Sequence, residues 1–398
     1  MRVLLIDVNC KNSSTGKIVY DLYTYLNDHG NIATVCYGRG PKLHEKNIYK
    51  FGIDIETYLH AFLARITGYN GCFSYYSTKR LINYIEKFKP DMIHIHELHA
   101  YFVNIGTLIN YIKKKQIPVV WTFHCEYMYT GKCGHAYDCE NWKVECDNCP
   151  MLSKYPKSIF FDRTKEMFNF KKKLLLDFDF TIITPSEWLA KRVRESFLSN
   201  KTIKVIHNGI DTDKVFYIRE KKETTYLYDK YGIDKIKKIV ISVAPNIMDE
   251  RKGGTIILEI AKEMKEFQFI LVGTDETKKY SNNVLLIKKI NNQNELARLY
   301  SIADLFLICS KKENFPTTCI EAMSCGLPVV GIDEGGTKET VPNPYGLFVK
   351  NDINDIKNAI DLQMDKRFNK KDIRDMAVKL YSKDKFGGTV IKTFLELL

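Results

Sequence analysis

The sequence predicts an α/β protein with two doubly wound, Rossmann-like domains that face each other across a cleft. Short apolar runs alternate with longer amphipathic stretches, and strands that alternate with helices form mostly parallel sheets through right-handed crossovers. The alternation occurs in two separate series within 398 residues. That length fits two domains of about 100–200 residues each. Ligands of such sheets bind at the carboxyl ends of the strands.

Composition and charge narrow the class of protein. The chain is 45% hydrophobic and 27% charged, which excludes a disordered or collagen-like protein. Its apolar runs are much shorter than the roughly 20 residues that cross a bilayer, and its N-terminus is typical of a buried strand. We therefore expect a cytoplasmic protein. The net charge of +12 is spread over both halves, so it favours anionic small molecules or an anionic membrane face over nucleic acid.

The first series predicts an N-terminal domain over residues 1–195. Apolar runs indicate its strands, and apolar residues three or four apart indicate its helices. In chain order its elements are strand Arg2–Val8, helix Gly16–Asn27, strand Ile32–Tyr37, helix Arg80–Phe88, strand Met92–His96, helix Tyr101–Lys115, and strands Pro118–Phe123 and Phe180–Pro185. A helix at Ser186–Leu198 then leads toward the second domain.

The second series predicts a C-terminal domain over residues 196–378. The same patterns indicate strand Ile239–Ala244, helix Thr255–Lys265, strand Phe267–Val272, helix Gln293–Ile302, strand Leu305–Cys309, helix Thr317–Ser324 and strand Pro328–Ile332. We expect residues 379–398 to form a helix that packs back on the N-terminal domain.

The stretch from Glu313 to Pro328 indicates a binding site. It reads Glu-Asn-Phe-Pro-Thr-Thr-Cys-Ile-Glu-Ala-Met-Ser-Cys-Gly-Leu-Pro and follows a predicted strand, so Glu313 lies at the carboxyl end of that strand. A helix begins at Pro316–Thr318 and stops at the Gly-Leu-Pro sequence. A helix N-terminus in this place favours an anion, because its N–H groups and the positive end of its dipole point outward. Glu321, one turn into the helix, faces the same side.

This stretch resembles the signature of family 4 glycosyltransferases, in which two glutamates stand with seven residues between them. Four further motifs match in the same order: Thr-Pro-Ser-Glu-Trp-Leu from Thr184, Ile-His-Asn-Gly-Ile-Asp from Ile206, Asp-Glu-Arg-Lys-Gly from Asp249 and Gly-Gly-Thr-Lys-Glu from Gly335. The resemblance covers nearly the whole chain. The Asn-Ser-Ser-Thr-Gly-Lys at 12–17 and a Cys-rich insertion are most similar to the exopolysaccharide and colanic-acid-type subgroup.

The resemblance implies a fold and a reaction. The fold would be GT-B, with two Rossmann domains. The enzyme would move a sugar from a UDP- or GDP-linked donor to a hydroxyl of a saccharide or a polyprenyl-diphosphate-linked saccharide. The anomeric configuration would be retained without a catalytic metal, as part of cell-surface polysaccharide biosynthesis.

The resemblance also implies roles for single residues on the donor side. Glu313 would bind hydroxyls of the donor sugar, Glu321 the ribose, and Lys252 the diphosphate. Many family members have a Gly-Arg pair directly after the strand that precedes Lys252. This chain has Val-Ala-Pro at 243–245 instead, so we expect Arg251 to supply the missing positive charge. The backbone that holds the sugar and the diphosphate would come from Phe315, Pro316, Thr317 and Thr318.

On the other domain, the expected site residues are Gly16 and His124. Gly16 lies in the loop after the first strand, where a missing side chain lets backbone approach a phosphate or the acceptor. His124 ends a predicted strand and matches a family position near the transferred sugar, which adds it to Glu313 and Lys252 as a catalytic candidate. His94, His96 and His99 also suggest a metal, but we favour structural roles for them.

The insertion at 125–150 contains five of the eleven cysteines. A C-x-x-C pair, Cys146 and Cys149, with Cys133 and Cys139 matches a tetrahedral thiolate zinc site. The odd cysteine total argues against a disulfide framework. Reduced thiols, or more remotely an iron–sulfur cluster, are the alternatives. We expect one structural zinc, with Cys125 left free.

One further segment predicts contact with a membrane. The stretch Tyr58–Tyr69, together with Phe73, Tyr75, Tyr76, Lys79 and Arg80 after it, mixes apolar, aromatic and basic residues. It fits either a helix packed on the first sheet or a peripheral contact with the anionic inner face of the cell membrane.

Two other functions compete with sugar transfer. A nucleotide-sugar 2-epimerase shares the fold but needs a different acid/base set. A zinc-bearing nucleic-acid-binding protein would use the positive charge and the cysteines, but it needs a basic stripe with interleaved aromatics that this sequence lacks.

Overall fold

A computed structural model describes all 398 residues. The chain forms two compact units, one of residues 1–207 with 386–398 and one of residues 208–385. The first unit extends beyond the predicted boundary at 195, because Ile203–Val205 pairs with the strand Thr181–Thr184. None of the helices combines the length and the apolar composition that a membrane crossing requires.

Residues 1–207 contain seven strands and six helices. The strands are β1 Arg2–Asp7, β2 Ile32–Tyr37, β3 Ile48–Lys50, β4 Met92–Ile95, β5 Val119–Thr122, β6 Thr181–Thr184 and β7 Ile203–Val205. The helices are α1 Ser14–Asp28, α2 Asp54–Thr67, α3 Tyr75–Phe88, α4 Ile105–Lys115, α5 Thr164–Leu176 and α6 Glu187–Arg194.

Residues 208–398 continue the alternation. The strands are β8 Ile239–Val243, β9 Gln268–Thr274, β10 Lys278–Ser281, β11 Val284–Lys288, β12 Leu305–Ile308, β13 Val329–Ile332 and β14 Gly346–Val349. The helices are α7 Lys221–Thr224, α8 Tyr226–Tyr231, α9 Gly254–Glu263, α10 Gln293–Ile302, α11 Thr317–Ser324, α12 Ile353–Asp365, α13 Lys370–Tyr381 and α14 Lys383–Leu395.

Each unit is built on a seven-stranded sheet. The first has the order β3-β2-β1-β4-β5-β6-β7 and the second the order β10-β11-β9-β8-β12-β13-β14. All strand pairs are parallel except β10 with β11, which form an antiparallel hairpin at one edge. Both sheets are buried on two faces by helices, as parallel sheets require. The predicted pair of Rossmann-like domains is therefore confirmed.

Several helix boundaries differ from the predicted ones; α3 begins at Tyr75 and not at Arg80, and α6 ends at Arg194 and not at Leu198. Helix α4 begins at Ile105, because Ala100 and Tyr101 have positive φ angles of 76° and 70° and left-handed residues cannot lie inside a right-handed helix. Helix α1 begins at Ser14, since Ser13 caps it by accepting the N–H of Gly16 at 2.9 Å. The predicted helix 379–398 is interrupted at Ser382, between α13 and α14.

The two faces of the first sheet bury different elements. On one face, α1 packs together with α14, whose Phe386, Val390 and Phe394 are buried. On the other face, α3 and α4 share a core with the segment after β5, where Tyr129 and Trp142 are fully buried and in edge-to-face contact at 5.2 Å. The cysteine-bearing insertion is therefore anchored to the core at its aromatic residues.

A buried ion pair fixes the start of that insertion to α6. The Glu126 carboxylate accepts a hydrogen bond from Arg192 Nε at 2.6 Å and another from the Ala136 N–H at 2.7 Å. The Arg192 guanidinium also stacks on the Trp142 ring at 4.5 Å. Because the Glu126 side chain is 1% exposed, removing it leaves the guanidinium without its buried counter-charge.

We expect Glu126→Ala to lower the free energy of unfolding by about 3–5 kcal/mol, the usual cost of breaking a buried pair. Urea unfolding followed by circular dichroism measures this. The matched control is Glu187→Ala, which removes an exposed Glu–Arg pair at 3.0 Å in the same helix and should cost at most about 1 kcal/mol. Equal losses in the two variants would contradict the anchoring role.

Candidate active site

The carboxyl end of β12 meets a short 3₁₀ turn, Glu250–Lys252, that follows β8. Gly253 ends the turn with a φ of 73°, and a Cβ on it would lie 2.1 Å from the Cys309 carbonyl oxygen. The Lys311 N–H also donates to the Arg251 carbonyl at 2.8 Å. Only glycine permits this approach, which brings the turn against the loop after β12.

The approach places two cations beside one carboxylate. Lys252 Nζ contacts Glu313 Oε1, and Arg251 Nη1 lies 3.6 Å from the same oxygen and 3.3 Å from the Lys312 carbonyl. The Lys252 and Glu313 side chains are only 15% and 13% exposed. Three of the predicted donor-side residues, Arg251, Lys252 and Glu313, therefore lie together with one positive charge in excess.

A second close backbone contact holds the Glu313 loop from its other side. The Gly336 N–H donates to the Glu313 carbonyl at 3.0 Å. Gly335 has a φ of 65°, and a Cβ there would lie 2.0 Å from the Glu313 carbonyl oxygen. The loop after β13 thus fixes the backbone of Glu313, while the 3₁₀ turn fixes its carboxylate.

Helix α11 begins at Thr317, as predicted, directly after this loop. Pro316 occupies its N-cap, and no side chain caps the helix. Phe315 is buried, with its ring in edge-to-face contact with Tyr381 at 5.8 Å. Thr317 and Thr318 are half-buried. The positive end of the helix dipole therefore lies next to the cluster of Arg251, Lys252 and Glu313.

Glu321 is more enclosed than the other predicted residues. It is 6% exposed, and the Tyr300 hydroxyl donates to its Oε2 at 3.3 Å. Burial, together with Glu321, raises the pKa of Tyr300 well above its usual range, so the phenol keeps its proton and remains a donor. Sequence reasoning missed Tyr300, because on a helix with an apolar face it has the pattern of an ordinary core residue.

In the first unit, Gly16 differs from its prediction. It lies inside the first turn of α1 and not in the loop before the helix. A Cβ on it would lie 3.0–3.1 Å from Ser13 Oγ and the Asn9 carbonyl. The glycine therefore allows α1 to begin close under the end of β1.

His124 follows β5 and is half-buried against the fully enclosed His96. Its Nε2 lies 3.0 Å from His96 Nδ1, and the two rings are stacked. Burial lowers the pKa of His124 to about 4. At neutral pH the imidazole is therefore uncharged and can exchange hydrogen bonds with a hydroxyl without a net charge.

Next to His124 is a cluster that sequence reasoning found only in part. Glu97, His99 and Cys125 have ligand atoms within 4.8 Å of one another. Glu97 accepts from His99 at 3.0 Å and from the Cys125 thiol at 3.4 Å. Burial disfavours the charged forms of Glu97 and His99, but their mutual attraction is stronger. The pKa of Glu97 is therefore lower than usual, and the pKa of His99 is higher than usual.

Asp7, at the end of β1, extends this cluster. Its Oδ1 accepts the Glu97 N–H at 3.2 Å. Burial, and then Glu97, raise the pKa of Asp7 to about 7. The sequence signal that could have indicated these carboxylates is their position, since both directly end or follow a strand of the first sheet.

The four cysteines predicted to bind metal line one cavity in the first unit. Cys133, Cys139, Cys146 and Cys149 surround it together with Trp142 and Thr164. The Cys133 thiol donates a hydrogen bond to the Cys149 sulfur, which holds the pKa of Cys149 below its usual range. Cys125 lies apart from them, in the cluster with Glu97.

Two family profiles match the chain. The profile of Glycosyltransferase Family 4 matches residues 15–214, half of the chain. That of Glycosyl transferases group 1 matches residues 226–379. The two matches fall on the two units in turn, and together they include every predicted site residue.

Curated relatives share part of the sequence. The chain is 23% identical over 272 residues to the putative colanic acid biosynthesis glycosyl transferase WcaC of Escherichia coli (strain K12), covering 65% of this chain and 64% of the relative. It is 32% identical over 199 residues to the N,N'-diacetylbacillosaminyl-diphospho-undecaprenol alpha-1,3-N-acetylgalactosaminyltransferase of Campylobacter jejuni, covering 48% and 51%. The match thus spans less than two thirds of the length of each relative.

A solved structure shares the whole fold. Anabaena Alr3699/HepE, in complex with UDP-glucose, matches with a TM-score of 0.67 at 16% identity, covering 100% of both chains. At this identity the likeness concerns the fold, and it confirms the predicted GT-B architecture.

The backbone contact at Gly335 yields a stability prediction. We expect Gly335→Ala to lower the free energy of unfolding by more than about 3 kcal/mol, because it adds a backbone clash to the strain of a positive φ. The control is Gly232→Ala, with a φ of 66° and no atom within 4 Å of the added Cβ, which should cost only about 1–2 kcal/mol. Urea unfolding separates them. An equal loss of unfolding free energy in the two variants would show that the Glu313 loop can move away from the added methyl group at no energetic cost.

Proposed function

This chain belongs to glycosyltransferase family 4, and on that premise we propose that it transfers a sugar from a nucleotide-diphosphate sugar to a hydroxyl of a saccharide or lipid-linked saccharide. The observation that carries the proposal is the cluster of Arg251, Lys252 and Glu313 at the start of α11. Its excess positive charge and the helix N-terminus suit a diphosphate. Its carboxylate suits sugar hydroxyls.

The donor side follows from these contacts. Lys252 and Arg251 bind the diphosphate through charge-assisted hydrogen bonds, and the backbone of residues 315–318 holds the adjoining phosphate and sugar. Glu313 accepts hydrogen bonds from the donor sugar. Glu321, oriented by Tyr300, binds the ribose hydroxyls. That Alr3699/HepE was solved with UDP-glucose supports a nucleotide-diphosphate sugar, UDP- or GDP-linked, as the donor.

The chemistry requires charge stabilisation more than proton transfer. As the glycosidic bond breaks, the sugar becomes oxocarbenium-like and the diphosphate gains negative charge. Lys252, Arg251 and the α11 dipole stabilise that negative charge. A cation 4 Å from a phosphate oxygen contributes about 4 kcal/mol at an effective dielectric of 20. We propose that these cations replace a catalytic metal. Retention follows when the acceptor hydroxyl attacks from the face that the diphosphate leaves.

Two observations support an acceptor that carries a lipid diphosphate. The name of the Campylobacter jejuni relative describes an undecaprenol-diphosphate-linked acceptor, and the name of WcaC refers to colanic acid biosynthesis. We assign acceptor binding to the first unit. There Gly16 lets α1 begin close under the end of β1, and the neutral His124 binds the hydroxyl that attacks.

The donor assignment predicts a selective loss of affinity. Arg251→Ala and Lys252→Ala should each weaken binding of UDP or GDP by about 100-fold or more, while binding of the nucleoside alone stays nearly unchanged. Isothermal titration calorimetry measures both. Lys311→Ala removes a more exposed cation from the neighbouring loop and should have little effect. An Arg251 variant with unchanged diphosphate affinity would refute its role as the replacement arginine.

We also propose peripheral contact with an anionic membrane, as the structure leaves an apolar helix face uncovered. Four exposed side chains on one side of α2 form what we call the α2 face: Ile55, Tyr58, Leu59 and Phe62, between 54% and 77% exposed. The opposite side of α2 buries Thr57, His60 and Ala64. Packing on the unit therefore uses only half of this helix.

Neighbouring segments extend the α2 face. Tyr75 and Tyr76 at the start of α3 are exposed, as are residues 159–161, and the Ile159 N–H donates to the Arg65 carbonyl at 2.8 Å. Lys79 follows on the same helix as the two tyrosines. Exposed aromatic and aliphatic side chains with basic neighbours are typical of an interfacial surface.

We expect the protein to bind vesicles containing anionic lipid, with an affinity that falls as salt rises. The double variant Leu59→Glu with Phe62→Glu should abolish binding in a sedimentation assay, because it places two charges in the acyl region. Lys79→Glu should weaken binding. Leu362→Glu alters an exposed leucine of α12 and should bind normally. Failure of the unmodified protein to bind at low salt would overturn the membrane proposal and leave sugar transfer untouched.

A further inference from the structure

The cavity among the four cysteines lies outside the proposed active site. It has a volume of about 10 Å³, which suits a single ion or water and is far too small for a sugar or a nucleotide. We propose that it binds one structural Zn²⁺ through the thiolates of Cys133, Cys139, Cys146 and Cys149, with the buried Lys132 and Lys171 balancing the charge of the site. This proposal is independent of the proposed sugar transfer.

The surroundings of the sulfurs are those of thiolate ligands. The Gly131 N–H donates to Cys146 Sγ at 3.1 Å, and such N–H bonds to sulfur fix the orientation of a metal ligand. A Cβ on Gly131 would lie 2.5 Å from the Thr164 carbonyl, so the residue that supplies this N–H is pressed against the start of α5.

Two buried ammonium groups flank the cysteines. Lys132 is 2% exposed and donates to the carbonyls of Met151, Leu152 and Lys154 at 2.7–3.2 Å. Lys171 is fully buried, donates to the Tyr127 carbonyl at 2.6 Å and lies over the Tyr127 ring. These hydrogen bonds satisfy the N–H groups of the two lysines but supply no opposite charge.

Charge balance identifies the occupant. Lys132 interacts electrostatically with Cys133, Cys149 and the exposed Asp162. Lys171 interacts most strongly with Cys146 and Cys133, and then with Cys125 and Cys72. Zn²⁺ with four thiolates carries two negative charges, which two ammonium groups balance. Four neutral thiols would leave the two buried cations with only the exposed carboxylate of Asp162, near Lys132, as a counter-charge, and desolvating an uncompensated ion costs several kcal/mol.

The zinc also accounts for the order of a segment poor in core residues. Among the large apolar side chains at 131–150, Trp142 is buried, but Val144 is 82% exposed. Metal binding that is coupled to folding supplies the missing stability, as it does in other small zinc-bound segments. The site would then shape the chain that follows β5 without taking part in the chemistry.

Elemental analysis of the full-length protein tests the ligand set. We expect about one zinc per chain in the unmodified protein, little or none in Cys146→Ser and Cys149→Ser, and a full complement in Cys125→Ser. Cys125 is the matched control because it belongs to the other group of ligand atoms, with Glu97 and His99. An unmodified protein without zinc, or zinc lost from Cys125→Ser but kept in Cys146→Ser, would overturn the proposal.

A second experiment tests the lysines. Lys171→Met should lower zinc affinity about tenfold or more in competition with a chromogenic chelator, because a nearby positive charge is lost. Lys173→Met, on the exposed side of the same helix, should not. If the site binds no metal, Lys171→Met only removes an unbalanced buried charge, and the melting temperature should rise. A Lys171→Met variant that melts at a higher temperature, and whose melting temperature a chelator does not change, would therefore refute the charge balance. If the variants fail to fold, unmodified protein produced in zinc-depleted medium supplied with Co²⁺ must show intense thiolate-to-metal charge-transfer bands, and their absence would also overturn the proposal.

Discussion

The contact between Lys252 and Glu313 is the interaction on which the arrangement of the second unit depends. Two backbone approaches that only glycine permits converge on it, Gly253 against the end of β12 and Gly335 against the Glu313 carbonyl. One approach brings in the cation and the other holds the backbone of the carboxylate. The loops after β8, β12 and β13 are thereby joined at one edge of the sheet, and α11 starts from the same point.

Parallel topology explains why this edge could be located from sequence. Each strand of a doubly wound sheet ends on the same side, so residues that follow apolar runs meet even when they are far apart along the chain. Glu313 was located in this way, whereas Lys252 was predicted from the family resemblance. The central strands were likewise clear, since buried parallel strands appear as continuous apolar runs.

Other features depend on contacts that the spacing of apolar residues in the sequence does not predict. Edge strands such as β3 and β14 are only three and four residues long, so their apolar runs are too short to predict a strand. Helix α4 starts late because of two left-handed residues, one of them an alanine, for which composition provides no signal. Tyr300 and Glu97 act through a single buried hydrogen bond or ion pair. Such pairs form between segments that only the folded chain brings together.

In each buried charged cluster of this protein, either the charges of the side chains cancel, or a net charge is left that a ligand would neutralise. Near β1 and β4 the balance is internal, because the His99–Glu97 pair is neutral and Asp7, with a pKa of about 7, is partly protonated at neutral pH. At Glu313 two cations face one carboxylate, and the remainder calls for an anion. At the cysteines two buried ammonium groups lie beside four thiols, and the zinc that we propose there would let the thiols lose their protons and oppose this positive charge. The group beside the cations therefore distinguishes the two proposed sites. A carboxylate that is already charged leaves an excess of positive charge for an anionic substrate, whereas thiols can lose their protons and become ligands of a metal ion.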